Sequence, residues 1–579
     1  MLTKLIIRNF KKFSEVEIDL GNPVVFIGPN NSGKTSALQA LALWDVGLKR
    51  WNEKRKGKTT PEKRSGVTIN RRDLVAVPVP TADLFWRDLH VRDVQKIDGK
   101  QDTKNVRIDV IVDGIIEDKL WKCGLEFDYA NEESFYCRPL RLSEGKNPKR
   151  MQIPEQTENV KIAFLPPMSG LAANEDRLDT GAVNRRIGEG RTAEVLRNLC
   201  YVVSESSNDS LWGKLCSRVS SLFGVQLERP EYILKGGEIV MTYREGGNRL
   251  DLSSSGKGLQ QTLLLLAYML NNPGSVLLLD EPDAHLEILR QRQIYKVLTE
   301  IAGESGSQII AASHSEVLLN EAAGKDVVVA FVGRRPHPIT RESRVLQSLS
   351  EIGFEQYYQA EQTGWVLYLE GSTDLAVLQS FAECLNHPAQ KLLERPFVHY
   401  VGNQPGKARD HYEAVKEAVE NLKSIAIFDR LERDMPPQVK PFGNMWNKRE
   451  IENYLCYPET LLNYAADTIE DNIEIPLFSR TESNRRVQMM RNAIQELTDA
   501  LKVTKKGSPW DGNMKVSDDF LPALFDIYFE KLNLPNIMAK GQFYQLVPFV
   551  PVDKIDKEVV EKLDKIVAVA QSAKPYGEE

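Results

Sequence analysis

The chain has 579 residues, which is too long for a single hydrophobic core, so we expect about two to four domains. Its formal net charge is −6, so nucleic-acid binding depends on local basic patches, of which the stretch Lys49–Arg64 is a candidate or else a solvated loop. The six scattered cysteines form no Cys-x-x-Cys pair, which argues against a zinc site. Without a secretory signal or a run of apolar residues long enough to span a bilayer, we expect a cytoplasmic protein that does not enter the membrane.

The first fifty residues predict strands, a phosphate-binding loop and a helix in succession. Leu5–Ile7 and Val16–Leu20 flank a short turn, and Val24–Ile27 is a fully apolar run. This run leads into the sequence GPNNSGKT, residues 28–35, and a helical pattern follows over Ser36–Leu48. The order strand, glycine-rich loop and helix is the context in which a phosphate loop operates.

The loop at residues 28–35 matches the pattern G-x-x-x-x-G-K-[ST] in full. Its glycines allow backbone N–H groups to face the phosphates of ATP. We expect Lys34 to contact the β- and γ-phosphates and the Thr35 hydroxyl to bind Mg²⁺. The remaining candidates for nucleotide contact in this loop are Asn30, Asn31, Ser32 and Gly33.

A second apolar strand, Val276–Leu279, ends in the carboxylates Asp280 and Glu281. Asp280 is placed to hold Mg²⁺, and Glu281 is placed to polarise the attacking water. A buried strand capped by two acids is the structural alternative. That alternative is weaker because it does not explain the complete phosphate loop upstream.

Two further segments are candidates for contact with the nucleotide. The Ser/Gly turn at Ser255 and Gly256 precedes a helical pattern over Gly258–Leu270, and such a turn offers N–H groups to an anion or simply caps the helix. His314 follows the strand predicted at Gln308–Ala312, where it could contact the γ-phosphate or be structural.

These motifs, in this order, resemble an ABC-type ATPase head of the RecF/SMC kind. The resemblance is carried by the phosphate loop, the LSSSGKG turn, LLLDEPDAHL and AASHS, and the segment Arg185–Asn198 also resembles part of such a head. It implies that the serine turn completes the ATP site of the opposite subunit, so the heads would form a homodimer, with higher oligomers left open. A serine stands where an LSGGQ-type sequence has its first glycine, so the serine that contacts phosphate is left open.

After the polar segment Gly333–Ser343, the pattern predicts a small parallel α/β domain. Its apolar strands are Trp365–Leu369, Phe397–Val401 and Ser424–Phe428, with helical stretches between them. From about residue 480 the pattern is charged and helical.

Carboxylates follow the predicted strands of this second domain. The acids are Glu370, Asp374, Asp429, Glu450 and Glu452. Taken singly, each fits a turn, a helix cap or an exposed face. Together, at the carboxyl ends of successive strands, they predict a site for Mg²⁺ or Mn²⁺, and two such ions can stabilise the attacking and leaving oxygens of a phosphodiester.

This second pattern resembles the Toprim fold, and the order ATPase then Toprim resembles the OLD (overcoming lysogenization defect) family of nucleases. The resemblance implies that the five acids are metal ligands or their close support, and that a C-terminal lysine stabilises phosphate charge. Lys540 is the best match for that lysine, with a solvated surface lysine as the alternative. Toprim domains usually carry Asp-x-Asp, whereas Asp429-Arg430-Leu431 stands here. Either Asp434 or a carboxylate near Glu450 supplies the missing ligand, or one metal site is weak.

The sequence thus predicts an α/β protein with an ABC-type ATPase head followed by a Toprim domain and a mainly helical C-terminal region. We expect the head at 1–345 with a long insertion at about 45–180, the Toprim core at 360–480 and the helical part at 481–579. The predicted activity is ATP hydrolysis together with Mg²⁺- or Mn²⁺-dependent cutting of DNA.

The family resemblance implies an antiphage role, with a retron reverse transcriptase and its small DNA, or a helicase-like protein, as possible partners. The alternative function is a non-catalytic DNA-binding or repair ATPase with a decayed Toprim domain. A topoisomerase or primase is disfavoured because no Cys/His cluster and no candidate tyrosine motif is evident.

Overall fold

The computed structural model describes most of the chain, namely residues 1–55, 66–71, 74, 77, 79–97, 100–143, 148–172, 174–206, 209–323, 325–332, 335–339, 353–419, 421–467 and 476–574. The chain divides into two compact units, Met1–Leu346 and Gln347–Glu579. Most of the basic stretch Lys49–Arg64, and most of the polar segment Gly333–Ser343, lie outside the described residues. Within the described ranges no helix has the length and apolar character needed to cross a membrane.

The first unit contains nineteen strands in its described part. They are β1 (Leu2–Phe10), β2 (Phe13–Asp19), β3 (Val24–Ile27), β4 (Val67–Asn70), β5 (Arg92–Ile97), β6 (Lys100–Asn105), β7 (Arg107–Ile116), β8 (Lys119–Asn131), β9 (Ser134–Pro139), β10 (Ile162–Leu165), β11 (Gln226–Leu227), β12 (Glu231–Ile233), β13 (Glu238–Val240), β14 (Thr242–Glu245), β15 (Asn248–Asp251), β16 (Val276–Asp280), β17 (Gln308–Ser313), β18 (Val327–Ala330) and β19 (His337–Ile339).

The helices of this unit lie mainly after β10. The α-helices are α1 (Lys34–Arg55), α2 (Thr180–Gly188), α3 (Leu196–Glu205), α4 (Asp209–Phe223), α5 (Lys257–Asn271), α6 (Ile288–Ser305) and α7 (Glu316–Ala322). Short 3₁₀ turns occupy Ala82–Phe85, Arg87–Leu89, Glu155–Asn159, Thr192–Val195 and Leu252–Ser254.

Two six-stranded sheets form the frame of the first unit. One sheet is antiparallel, in the order β2-β1-β7-β8-β9-β4. The other has the order β10-β16-β17-β3-β18-β19 and is parallel except for its last pair. The fully buried strands β3, β16 and β17 of the parallel sheet are apolar except at Asp280, Gln308 and Ser313 at their ends, as expected where both faces are covered.

Helix α1 lies between the two sheets and shares one core with both. Leu38, Leu41 and Trp44 join the cluster that contains Leu5 and Phe26, and the Trp44 indole donates to the Cys123 carbonyl at 3.0 Å. Alternate residues of β16 and β17 point to the opposite face, where α3 to α6 cover them. The helix begins at the phosphate loop, so this packing fixes the position of that loop.

The stretch expected as an insertion at about 45–180 is part of the frame of the unit. Helix α1 continues to Arg55, strands β4, β7, β8 and β9 complete the sheet begun by β1 and β2, and β10 forms the edge of the parallel sheet. The structure differs from the expected insertion because β1 and β2 alone would expose an unpaired sheet edge, and the strands that pair with this edge come from later in the sequence. The first and late strands are also linked directly, since the Leu2 amide donates to Gln308 Oε1 at 2.7 Å and Gln308 Nε2 donates to the Leu2 carbonyl at 2.8 Å.

A buried carboxylate on β8 holds several arginines together. Glu126 is fully buried and accepts from Arg138 Nε at 2.6 Å, from Arg141 Nε at 3.0 Å and from Arg150 Nη1 at 3.0 Å. Burial opposes ionisation of this carboxyl, but hydrogen bonds from Arg141 and Arg150 and the surrounding positive charges outweigh it and lower the pKa of Glu126 to about 2. The carboxylate thus joins β8, β9 and the segment after β9.

The second unit contains four strands and nine α-helices in its described residues. The strands are β20 (Trp365–Leu369), β21 (Val398–Tyr400), β22 (Lys423–Phe428) and β23 (Gly443–Met445). The helices are α8 (Phe354–Thr363), α9 (Ser372–Cys384), α10 (Ala389–Leu393), α11 (Pro405–Ala418), α12 (Pro458–Asp467), α13 (Pro476–Val503), α14 (Val516–Asp519), α15 (Leu521–Leu532) and α16 (Lys557–Ser572). The 3₁₀ turns are Ile451–Tyr454, Lys540–Phe549 and Val552–Lys554.

The four strands form a parallel sheet in the order β21-β20-β22-β23. Leu367 and Leu369 of its central strand share one core with Leu524 of α15 and Ile566 of α16, so the last hundred residues are packed onto the sheet of this unit. Because the strands are parallel, their carboxyl ends lie along one edge, where α/β proteins place ligands.

Candidate functional site

The phosphate loop follows β3 and requires glycine at two positions. Gly28 has a φ of +155°, and a Cβ there would lie 2.7 Å from the Phe331 carbonyl oxygen. Gly33 has a φ of +107°, and its Cβ would lie 2.8 Å from the Phe13 ring. Side chains at these positions would therefore displace the loop or the walls around it.

Lys34 is the first residue of α1 and lies inside the loop. Its ammonium donates to the carbonyls of Gly28 and Pro29, each at 2.8 Å, and the residue is only 4 % exposed. Burial lowers the pKa of Lys34, while the nearby acids Glu281 and Asp280 act in the opposite direction. The lysine charge is thus held at the position where the phosphates of a nucleotide would be neutralised.

A second lysine at the loop was missed by the sequence analysis. Lys12, in the turn between β1 and β2, donates from Nζ to the Asn31 carbonyl at 2.8 Å, and its charge contributes to the lowered pKa of Lys34. Its position depends on the pairing of β1 with β2, which brings the turn over the loop. No motif in the sequence marks it.

Other predicted residues of the loop are open to a ligand. Asn30 and Asn31 are exposed, whereas Ser32 Oγ is buried and has no hydrogen-bond partner among the described residues. Gln261 Oε1 on α5 also lacks a hydrogen-bond partner among the described residues, while Gln261 Nε2 donates to the Glu281 carbonyl at 3.4 Å. Unpaired buried oxygens of this kind are satisfied when a ligand, ion or water supplies donors.

Strand β16 brings the predicted magnesium ligands together. Thr35 Oγ1 donates to Asp280 Oδ1 at 3.1 Å, so the hydroxyl and the carboxylate lie side by side. Burial raises the pKa of Asp280 to about 6, and the neighbouring Glu281 adds to that rise. A hydroxyl and a carboxylate in contact form an oxygen donor pair suited to Mg²⁺.

Glu281 and His314 form a pair across the ends of β16 and β17. His314 Nδ1 lies 2.5 Å from Glu281 Oε2, and the hydrogen bond to Glu281 raises the pKa of His314. Glu281 adopts a left-handed backbone conformation with a φ of +52°, which is costly for a residue with a side chain. An open cavity of about 520 Å³ lies beside the pair, lined by His285, His314 and Ser315 among others.

Ser255 and Gly256 lie just before α5, and neither is hydrogen-bonded to the phosphate loop of the same chain. Ser255 Oγ donates to the Leu252 carbonyl at 2.7 Å, and Gly256 is the N-cap of the helix. Across the described ranges, no hydrogen bond joins either residue to residues 28–35. The structure therefore does not bring this turn into the ATP site of its own chain.

The second unit gathers acidic side chains at the carboxyl edge of its parallel sheet. Glu370 follows β20 and Asp429 follows β22, two strands that pair in parallel with Tyr368 opposite Ala426. The carboxyls of Glu370 and Asp429 share a hydrogen bond. Asp374, in the first turn of α9, accepts from the Gly371 amide at 2.7 Å.

Burial, together with the charges of neighbouring acids, raises the pKa values of several members of this group. Burial, followed by the charges of Glu370 and Asp374, raises the pKa of Asp429 to about 9. Burial also raises the pKa of Asp374 to about 6, with a contribution from Glu370. The charges of these acids act on one another, which means that the acids lie close together.

Glu450 and Glu452 belong to the same group. Glu450 is buried, and its two oxygens accept from the Ser517 amide at 2.6 Å and the Ser517 hydroxyl at 2.9 Å. Burial, then the charges of Glu450 and Asp374, raises the pKa of Glu452 to about 8. We call Glu370, Asp374, Asp429, Glu450 and Glu452 the acidic cluster.

Two lysines border the acidic cluster, and the sequence analysis found only one of them. Lys540 contacts Asp518 and its charge opposes the rise in the pKa of Glu452. Lys515 also pairs with Asp518, at 3.0 Å, and the pKa of Lys515 is raised by that hydrogen bond and by the charges of Glu370 and Glu450. Lys515 thus interacts electrostatically with Glu370, Asp374 and Glu450, whereas Lys540 interacts with Glu452.

Asp434 stands apart from the acidic cluster. It is exposed, and no hydrogen bond or ion pair in the described part of the chain connects it to the five acids. Within those same described ranges, no three His, Cys, Asp or Glu side chains are arranged as a ready set of metal ligands. The acids instead bond to one another, to Ser517 and to the backbone of the turn after β20.

Two family models match the first unit. Residues 1–106 match the family described as "AAA ATPase domain", and residues 141–320 match the family described as "AAA domain, putative AbiEii toxin, Type IV TA system". The first match includes the phosphate loop and the second includes Asp280 and Glu281. The first unit is therefore an ATPase of the AAA type. A comparison with curated protein sequences gives no match.

Among solved structures, three similar chains are SMC heads. They are an SmcHead bound to the C-winged helix domain of ScpA (14% identity, 59% of this chain and 98% of that chain, TM-score 0.32), the SMC head domain from Thermotoga maritima (16%, 59% and 99%, 0.29) and the Smc head domain with an extended coiled coil bound to the C-terminal domain of ScpA derived from Pyrococcus furiosus (13%, 61% and 99%, 0.33).

Proposed function

We propose that this chain is a DNA endonuclease that depends on a divalent metal ion, with an ABC-type ATPase head of the RecF/SMC kind that regulates a Toprim-type nuclease in the second unit. The observation that carries the proposal is the convergence of five acids at the carboxyl edge of the parallel sheet β20–β23. The resemblance of the two motif sets, in this order, to OLD-family nucleases supports the same function and an antiphage role.

The donor set of the acidic cluster fits Mg²⁺ or Mn²⁺. All five acids offer oxygen, which these hard cations prefer, and no histidine or cysteine belongs to the group. Burial, and after it the charges of neighbouring acids, raise the pKa values of Asp429 and Glu452, and a cation bound beside them would favour their ionised forms. A metal ion held by these acids would supply Lewis-acid stabilisation of a phosphodiester.

The side chains around the cluster have separate roles in this proposal. Ser517 holds both oxygens of Glu450, which fixes the direction of that carboxylate. Lys515 and Lys540, anchored on Asp518, provide positive charge for the developing charge on phosphate. In this proposal Asp434, which is exposed and bonded to none of the five acids, is not a ligand, and a carboxylate near Glu450 takes the role of the second Toprim aspartate.

Cleavage of supercoiled plasmid by the purified full-length chain tests the proposal. We expect nicked or linear DNA with Mg²⁺ or Mn²⁺, and none when EDTA removes the metal. Parallel reactions with and without ATP, and with Lys34→Ala, would reveal how the nucleotide acts on cutting. Cutting that persists unchanged in EDTA, or its absence with both metals in every nucleotide state, would refute the nuclease and leave a DNA-binding ATPase as the function.

In the ATPase unit we propose that Glu281 activates the attacking water. Glu281→Gln should lower the rate of ATP hydrolysis about 10²- to 10³-fold, because the amide cannot accept a proton or polarise water as the carboxylate does. Binding of ATP should persist, because Lys34 and the loop are intact. Phosphate release and fluorescent-nucleotide binding measure the two effects separately. Glu287→Gln, a nearby glutamate at the start of α6, is the matched control, and equal rates for the two variants would contradict this role.

A further inference from the structure

Residues 502–515, which comprise the last two residues of α13 and the segment that joins it to α14, carry exposed positive charge near their start. Lys505 and Lys506 follow the end of α13, and both are exposed. Their amides donate to the carbonyls of Lys502 and Leu501, at 3.2 and 3.1 Å, so the backbone that carries them is closed onto the helix end. Neither side chain forms an ion pair with any carboxylate of the described ranges, in contrast to Lys502, which pairs with Asp499.

The other end of this segment is hydrogen-bonded to the loop and the 3₁₀ turn around Glu450, one of the acids of the acidic cluster. The Arg449 amide donates to the Gly512 carbonyl at 2.7 Å, and Asn453 Nδ2 donates to the Met514 carbonyl at 3.1 Å. These two donors flank Glu450, and the Asn453 side chain also accepts from the Glu450 amide at 3.0 Å. The segment and the acids are thus one bonded unit.

Two more contacts hold the same end in place. Arg430, the residue after Asp429, donates from Nη1 to Asn513 Oδ1 at 2.9 Å. Gly512 has a φ of +75°, and a Cβ there would lie 3.0 Å from Lys448 Cγ, so the close approach depends on glycine. The segment ends at Lys515, whose charge acts on Glu370 and Glu450. The segment therefore extends from the exposed lysines Lys505 and Lys506 to Lys515, which borders the acidic cluster.

We propose that residues 502–515 bind the phosphate backbone of duplex DNA, with Lys505 and Lys506 contacting phosphates that flank the bond cut at the acidic cluster. This inference rests on the proposed function, since it names the part of the substrate that the same site holds. Lys505 and Lys506 precede Lys515 by ten and nine positions, so both lysines lie at most about 36 Å from the cluster end of the segment. Phosphates recur about every 3.4 Å along one strand, so this distance covers no more than about one turn of duplex.

Charge also favours DNA as the occupant. The segment carries four lysines and a single acid, Asp511, in a chain whose formal net charge is −6. Positive charge that is unpaired, exposed and rigidly connected to acids is the arrangement expected where a polyanion must be held close to a cluster that would otherwise repel it.

The test is the affinity of the full chain for a fluorescein-labelled duplex of about 30 base pairs, measured by anisotropy in EDTA over a range of salt concentrations. Lys505→Glu with Lys506→Glu should weaken binding at least about tenfold near 0.1 M salt and reduce the slope of log K against log salt by about 1.8, since each lost phosphate contact removes about 0.9. An unchanged affinity and slope would overturn the proposal.

A matched control reverses the same number of charges at the other edge of the sheet. Lys391 and Arg395 are exposed and precede β21, so they lie toward the amino ends of the strands, away from the acids. Lys391→Glu with Arg395→Glu should bind the duplex as the parent protein does. A loss of affinity equal to that of the Lys505/Lys506 variant would mean that only overall charge matters, which also overturns the proposal.

Failure of this inference is distinguishable from failure of the proposed function. If the parent cuts plasmid with Mg²⁺ but the Lys505/Lys506 variant binds and cuts equally well, the surface is wrong and the nuclease stands. If the parent binds duplex through these lysines but never cuts, the nuclease is wrong and the surface stands.

Discussion

Glu370→Ala is expected to reduce plasmid cleavage by about 10³-fold or more, because a lost metal ligand removes several kcal/mol of transition-state stabilisation. Glu370 belongs to the acidic cluster, since it shares a hydrogen bond with Asp429 and its charge acts on the pKa of Asp374. ATP hydrolysis should be unchanged, because the ATPase site belongs to the other unit. Gel quantification of nicked and linear plasmid over time provides the rate.

Glu432→Ala is the matched control for this prediction. Glu432 is a glutamate in the segment after β22, but its side chain is 83 % exposed and its partner is Arg449 at 3.5 Å. We expect parental cleavage from Glu432→Ala and a normal thermal transition from both variants. If Glu370→Ala cuts at the parental rate, the acidic cluster is not the catalytic site.

The second large effect is on stability. Glu126→Gln should lower the free energy of unfolding of the first unit by about 3–5 kcal/mol, the range seen when one partner of a buried ionic group is removed. The amide leaves Arg138, Arg141 and Arg150 without their shared carboxylate in a site from which water is largely excluded. Denaturant unfolding of parent and variant at neutral pH measures the difference.

The same carboxylate makes stability depend on pH. Because the folded state lowers the pKa of Glu126 to about 2, its contribution is fully present above the ordinary glutamate value of about 4.5 and is lost as pH falls from there through about 2. The difference in free energy of unfolding between the parent and Glu126→Gln should therefore become smaller as the pH falls below about 4.5. Glu228 has a pKa lowered to about 2 by Thr242 and two arginines, but it lies at the surface, so Glu228→Gln should destabilise far less. If Glu126→Gln and Glu228→Gln lost the same free energy of unfolding, burial would not be the reason that Glu126 stabilises the protein.

The motifs of both sites were predictable because each is local in the sequence. An apolar strand, a glycine loop and a helix start identify residues 28–35 without knowledge of the fold, and acids at strand ends identify Glu370 and Asp429 in the same way. Such patterns state where a side chain lies along a strand, and parallel pairing then brings strand ends to one edge.

The residues that the sequence did not reveal come from segments that are distant in the chain. Lys12 reaches the phosphate loop only because β1 and β2 pair, and Ser517 reaches Glu450 only because α14 packs beside the turn at Ile451–Tyr454. The sequence analysis considered Lys540 but not Lys515, which shares the partner Asp518 with it, since the direction of a side chain from a loop is not encoded in a short motif.

The position of β17 between β3 and β16 has a consequence for synthesis of the protein. The strand that carries the phosphate loop is flanked by β17 and β18, whose last residue is Ala330, and Leu2 bonds to Gln308. About 300 residues must therefore leave the ribosome after β3 before its neighbours exist, which takes roughly 15–60 s at about 5–20 residues per second. Throughout that interval the apolar strand β3 lacks its partners, so we expect the nascent chain to need chaperones that bind exposed apolar segments. We likewise expect a chain truncated before residue 330 to fail to bind nucleotide.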